Sequence, residues 1–251
     1  LKGAQSLGYP TRTAGMSSFA WGTEIQAPTA DAALAFGKRE FKPHPGTSEI
    51  LISKTLIRNV SNADTLIRGE ISEEINKNLE KAYMTGSGAG QPLGIFTASD
   101  DGIGTSRDVS TGNTATELKF DGLINCKMSV KEQYRRNAEW IMHRDVIKQI
   151  MKLKDSNGQY IWQPSVTQGA PDMLLSSPVN ESEFAPNTFT TGLYLAVFGN
   201  LKNYWIVDSL AMEIQVLMEL YARTNQADYL TRIETDGAPV VSAAFARAKL
   251  G

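Results

Sequence analysis

Residues 62–96 read NADTLIRGEISEEINKNLEKAYMTGSGAGQPLGIF, and this stretch decides the fold. Asn62 and Asp64 are candidate N-caps, because a short side-chain oxygen can accept from an orphan first-turn amide. Ile67, Ile71, Ile75 and Leu79 then recur every fourth residue, with Ala82 and Tyr83 closing the stripe. That spacing lays one apolar seam along one helix face. Arg68, Glu70, Glu73, Glu74, Lys77, Glu80 and Lys81 cover the rest. Asp64–Arg68 and Glu73–Lys77 stand four apart with the acid first, the favourable order for a helical ion pair. The spacing predicts a helix over 64–85, about 30 Å long at the standard rise. Gly86 is expected to end it in a left-handed cap. A glycine-rich loop follows, with Gly86, Gly88, Gly90, Pro92 and Gly94 as its structural residues.

Around this helix the chain has 251 residues, enough for one large domain or two modest ones. A hydrophobic content of 41% with 21% charged residues is that of a folded soluble protein. The net charge of −2 argues against a dedicated nucleic-acid binder, which carries a basic excess or stripe. A shell that encloses DNA without adhering to it tolerates this balance, as do most enzymes. Cys126 is the only cysteine, which excludes an internal disulfide and a cysteine-based zinc site. No apolar run approaches a membrane span. The chain opens at Leu1 with neither an initiator Met nor a basic-then-apolar signal, so the expectation is a processed chain or one lacking a removed leader.

Residues 1–29 are poor in charge and rich in Gly, Ser, Thr and Ala, with Trp21 and Ile25 as anchors. They read as an extended arm that must pack on something else, or else as a frayed terminus. Within 30–60, a strand over 36–41, a turn over 42–46 and a returning strand over 49–53 are expected. The tip of that two-stranded arm is basic: Lys38, Arg39 and Lys42, with His44 in the Pro-flanked turn. Two strands alone are marginal, so these four residues are candidate contacts to another subunit.

Residues 97–117 read as a surface connection. A helix over 120–130 follows, then a buried strand over 139–142. Next comes a helix over 143–153 with Val146, Ile147, Ile150 and Met151 on one face and His143 as its cap. Asp155-Ser156-Asn157-Gly158 is a tight turn before a strand at 160–162. The run 193–198 is continuously apolar, as in a strand covered on both faces. After a break at 199–204, strands are expected at 205–208, 212–220 and 229–234. Asp236-Gly237 is then expected as a hairpin turn with a return over 240–246.

The residues offer no catalytic, cofactor or metal site. A Walker loop needs Gly-Lys-Ser/Thr opening a helix, and a dinucleotide loop joins strand to helix; here the glycines follow a helix and run into Pro92. His44 and His143 have no second ligand at a metal-type spacing. Cys126 has no neighbouring His to activate it, and no Ser sits in a nucleophile elbow. Glu73-Glu74 and Asp100-Asp101 read as ordinary surface charges. An enzyme reading would need a pocket near Trp140, Trp162 and Trp205 with convergent polar groups.

The phrase EKAYMTGSGAGQPLGIF (80–96), at the end of such a helix, resembles the major capsid proteins of tailed bacteriophages, the family with the Hong Kong ninety-seven fold. ISKTLI (52–57), WIMHRDVIKQIMKLKDSNGQYIW (140–162), PDMLLSSPV (171–179), AVFGNLKNYWIVD (196–208) and TDGAPVVSAAFARAKL (235–250) extend the resemblance over nearly the whole chain. It implies an α+β fold with an N-terminal arm (1–29), an extended E-loop (30–60) and an axial A domain (101–217). The peripheral P domain would be discontinuous (61–100 and 218–251), with the long helix as its spine and the C-terminal strand pair beside it. It further implies a coat protein that self-assembles into hexamers and pentamers of an icosahedral shell around phage double-stranded DNA, with no enzymatic step and no cofactor. The implied partners are other copies, a scaffold or N-terminal leader during assembly, a portal protein and DNA bound without sequence specificity, with no membrane. The implied location is the virion, and the host cytoplasm during assembly. Some members join an E-loop Lys to a neighbour's Asn; in Tyr229-Leu230-Thr231-Arg232 that place is taken by Arg232, so no crosslink is assigned. An encapsulin-like bacterial shell is the alternative within the same fold.

Overall fold

The structure, a computed structural model, describes residues 6–14, 35–60, 62–162 and 172–251. Trp21 and Ile25 lie outside them. The first strands are β1 (Leu7–Ala14), β2 (Ala35–Phe41) and β3 (His44–Ser53), followed by α1 (Lys54–Asn59) and α2 (Ala63–Thr85). Then come β4 (Asp108–Val109), α3 (Phe120–Ser129), α4 (Glu132–Arg135), β5 (Glu139–Met142) and α5 (Arg144–Met151). The remaining strands are β6 (Met173–Leu174), β7 (Ser177–Glu181), β8 (Tyr194–Gly199), β9 (Tyr204–Leu217), β10 (Gln226–Pro239) and β11 (Phe245–Lys249). They form a two-stranded ribbon β1-β2, a three-stranded sheet β3-β10-β9 and a six-stranded sheet β4-β11-β8-β5-β7-β6.

The expected long helix is α2, and its seam is the expected one. Ile71 is 2% exposed and packs on Ala227 and Tyr229 of β10, with Ile67 and Ile75 beside it. Both expected ion pairs form, Arg68 to Asp64 at 2.8 Å and Lys77 to Glu73 at 2.7 Å. The caps differ from expectation. Asn62 precedes the helix with φ 68° and makes no side-chain cap bond, while Asp64 accepts instead from Arg68 and from the Tyr229 hydroxyl. Gly86 is extended (φ −60°, ψ 147°), not left-handed. It is needed for space: a Cβ there would lie 2.2 Å from Pro92 O and 2.4 Å from Ala82 O.

The expected hairpin of 36–41 with 49–53 does not form. β2 pairs with β1, from the stretch read as a separate arm, and β3 pairs with β10 over its whole length, Ser53↔Gln226 to His44↔Thr235. Apolarity explains the choice. Ile52 joins the Ile71 cluster under α2, a core the ribbon cannot offer. Asp236-Gly237 is no turn either: β10 runs straight through it, with Asp236↔Val207 and Gly237↔Ile206 in register. The Tyr204 hydroxyl and the Tyr83 ring crowd the face of Gly237 at 2.8 and 3.0 Å from a Cβ position, so glycine is a packing requirement there. β9 is one strand where two were expected, with register shifts opposite 232–235. Although β9 lies in the segment expected as A domain, its partner is β10. β11 lies in the segment expected as P domain, yet it sits between β4 and β8.

The six-stranded sheet is buried on both faces. Trp140 and Met142 point into one cluster with Leu123, Val146 and Phe198, whereas Ile141 and Val197 point into another with Ile95, Phe96 and Phe245. α3, β5 and α5 lie close to where periodicity puts them, and His143 caps α5 by accepting from the Asp145 amide at 3.1 Å. Residues 97–117 are more than a surface connection, since Ile103 is fully buried and β4 adds to the sheet. Residues 160–162 form only an isolated bridge, Lys154↔Tyr160. Arg247 is fully buried on β11 and is held by Asp108 (Nη2–Oδ1 2.6 Å), Gly104 O and the Tyr194 ring.

Candidate assembly interface

The glycine-rich loop turns the chain back onto the end of α2. Ile95 and Phe96 amides donate to Tyr83 O and Met84 O at 2.9 Å each, satisfying carbonyls that a helix end leaves orphaned. Gly94 N donates to Gly86 O at 2.9 Å and Leu93 N to Gly237 O at 2.7 Å. This approach is possible because Gly94 has no Cβ; one there would lie 2.5 Å from Gly86 N. Pro92 is buried, while Gly88 and Gly90 take positive φ (79° and 70°) on the exposed outer turn. Leu93, Ile95 and Phe96 are thereby fixed in two clusters, one under the ribbon base and one under the six-stranded sheet.

Beside that loop, Lys38, Arg39, Lys42 and His44 converge with Gly88 on one cleft of about 730 Å³. The opposite wall carries Asp100, Asp101 and Asp236. The basic residues stand at the base of the ribbon, not at its tip, and they do have partners within the chain. Lys38 and Lys42 lie 3.9 and 3.7 Å from Glu40. The Ser6 hydroxyl donates to Glu40 at 2.6 Å, and with both lysines it holds that carboxyl below the usual range. Burial lowers the Arg39 guanidinium below its ordinary value, opposed by Asp101 and Asp236, and its Cζ lies 5.9 Å from the Phe41 ring centre. The Lys42 amide donates to Asp236 Oδ2 at 2.8 Å.

Apolar contacts complete the anchor. Phe41 is 1% exposed among Leu93, Val207 and Ala238, with Trp205 and Val240 against them. Tyr9 meets Trp205 edge-on at 4.4 Å. Phe41, Tyr9, Asp101 and Asp236 were not singled out from the sequence. Phe41 read as a strand end and Asp236 as a turn residue, and their convergence depends on contacts far apart in the chain.

Among the described residues no group of His, Cys, Asp and Glu is placed to hold a metal ion, and no helix is long and apolar enough to cross a membrane. Trp140 and Trp162 pack in one core cluster and Trp205 in another.

No curated protein matches the chain. Among solved structures, the capsid of a native GTA particle shares its fold with a TM-score of 0.85 at 20% identity, over 99% of this chain and 86% of that one. A structure from Microbacterium phage Oxtober96 gives 0.74 at 10% identity over 100% and 88%. One from Gordonia phage Cozz gives 0.66 at 16% over 100% and 82%. These matches favour neither the encapsulin-like nor the enzyme alternative. A sequence model of the phage capsid family covers residues 1–250. The chain belongs to the phage capsid family and is a major capsid protein, a structural component of a self-assembling shell.

Proposed function

We propose that copies of this chain associate as hexamers and pentamers that close into an icosahedral shell around double-stranded DNA. The observation that carries this is the ribbon β1-β2, a two-stranded element whose only core is at its base. It corresponds to the extended loop, with its boundaries moved to include β1, and it gains a partner surface by lying on an adjacent copy. In this reading α2 with β3, β9 and β10 is the peripheral domain, and the six-stranded sheet with α3 and α5 is the axial one. The cleft at the ribbon base sets the angle at which the ribbon leaves the subunit. Lys38, Arg39, Lys42 and His44 are then contact residues next to a neighbour as well as anchors within the chain.

The reading has no catalytic step and no cofactor; assembly proceeds by surface complementarity. A scaffold or leader directs curvature in the host cytoplasm, a portal occupies one vertex, and the finished shell resides in the virion. Purified chain should sediment as capsomers or closed particles of megadalton mass, and particles from host cells should retain nuclease-resistant double-stranded DNA. A chain that stays monomeric under every ionic condition would overturn the assembly reading. Particles that form but never protect DNA would overturn the packaging part alone.

A further inference from the structure

The far end of the three-stranded sheet carries a second surface, separated from the ribbon base by the length of β3, about 30 Å at the usual rise per strand residue. There α1 is tied to the turn after β9. The Lys54 ammonium donates to Met218 O, and the Asn225 side chain to Thr55 Oγ1 at 3.1 Å. The ties fix an apolar group in the open: Leu51 is 41% exposed, Leu56 50%, Met218 49% and Leu220 65%. A contiguous patch of that kind on a folded subunit marks a contact surface more often than a solvated one.

The charges of this end are also incomplete. Asp228 lies between Leu51 and Leu217 across the strands and is 1% exposed, yet its Oδ1 accepts no hydrogen bond among the described residues. A shielded carboxylate oxygen without a donor is costly, and an incoming cation would remove that cost. Two cations on the same end, Arg58 on α1 and Arg223 in the turn after β9, form no ion pair or hydrogen bond among the described residues. The end therefore carries an apolar patch, an acceptor lacking a donor and free donors lacking an acceptor.

We propose that this end of the sheet is a self-association surface whose occupant is the same end of another copy, with Arg58 or Arg223 of one subunit meeting Asp228 of the next around the apolar group. The proposal rests on the shell reading and adds a contact that the ribbon does not make. Self-complementarity favours a second copy over an unrelated partner, because one surface supplies both halves of the pair.

The test uses the full chain, with particle yield read by sedimentation and negative-stain images and subunit folding read by thermal melting. Leu220→Asp should leave the melting curve within a degree or two of the parent, since the side chain is exposed, and should lower particle yield at least tenfold. Arg58→Glu with Arg223→Glu should do the same, and adding Asp228→Lys to that pair should restore part of the yield. Parent-like yield for both Leu220→Asp and the double Glu variant would overturn the proposal. A parent that forms no particles at all would instead overturn the shell reading on which it rests.

Discussion

The amide of Lys42 donates to Asp236 Oδ2 at 2.8 Å although the two residues are 194 apart in sequence. This bond joins the last turn of the ribbon to the middle of β10. The other carboxylate oxygen, Oδ1, accepts from Gly237 N at 2.8 Å, so Asp236 is held rigidly. Asp236→Ala removes both acceptors and should cost about 1–2 kcal/mol. The loss should appear chiefly as a looser ribbon. Trypsin should cut after Lys38, Arg39 or Lys42 several-fold faster than in the parent, while the core melts only slightly earlier. Unchanged cleavage kinetics would show that Phe41 and Tyr9 alone fix the base.

A second prediction concerns α2. Ile71 is buried against Tyr229, so Ile71→Ala should destabilise the subunit by about 2–4 kcal/mol. Ile71→Asp should prevent folding, since it places an unpaired charge in that cluster. Glu73 faces solvent and pairs with Lys77, and Glu73→Ala should cost no more than about 0.5 kcal/mol. Chemical denaturation of the three variants checks the orientation of the helix. Equal effects of Ile71→Ala and Glu73→Ala would contradict it.

The parts legible from sequence are those written in local periodicity. α2, β5, α5 and β8 have seams or continuous apolar runs that only one packing satisfies, and His143 caps α5 as its position between strand and helix implies. The errors cluster where a non-local contact overrides a local signal. Asp236-Gly237 is a turn signal by composition, but ten residues of β3 on one side and the length of β9 on the other hold it straight. β2 followed by Pro43 and β3 looked like a hairpin because β1 lay in a stretch of low hydrophobicity with no periodic signature. The cleft residues Lys38, Arg39, Lys42 and His44 were visible as a charge group. Their carboxylate partners on 100–101 and at 236 were not, since nothing local links them.

The buried pair of Arg247 and Asp108 should prove fragile to one-sided change. Arg247 is fully buried, and Asp108 also accepts from the Tyr194 hydroxyl at 2.9 Å. Asp108→Ala strands the guanidinium and should cost about 3–5 kcal/mol. Replacing both residues, as in Asp108→Ala with Arg247→Met, should recover much of that loss. Melting temperatures of the single and double variants decide the matter; a double variant no better than the single would mean the pair is needed for β4 to join the sheet.

Cys126 supplies a chemical probe of the same core. It is fully buried, and burial pushes its thiol up to about 12. At pH 8 almost none of it is thiolate, the form that reacts. A disulfide reagent should therefore label no thiol in the native subunit and one thiol per chain after unfolding. The labelling rate against denaturant should follow the unfolding transition. Prompt labelling of folded protein would place α3 farther from the sheet than the structure has it.

The last prediction follows from Asp228. Desolvation raises its carboxyl above the ordinary value, with Glu49 adding to the effect. The native subunit then holds this proton more tightly than the unfolded chain does. Its contribution to stability is fully present below the unfolded value and is lost as pH rises through the raised folded one. Glu40, Asp64 and Glu73 run the other way: Ser6, Arg68 and Lys77 respectively hold them low, so their contribution is lost as pH falls. The net slope of the parent mixes these opposing signs, but Asp228→Asn removes only one. Subtracting the two stability curves should leave a difference near zero in strong acid that grows in favour of the Asn variant toward neutral pH. In assembled particles the order should reverse, because the charged carboxylate is then the form that meets a neighbour's cation. Particles of Asp228→Asn should dissociate at lower salt or denaturant than the parent, even though the free subunit is the more stable of the two. A variant more stable in both states would separate the buried carboxylate from assembly.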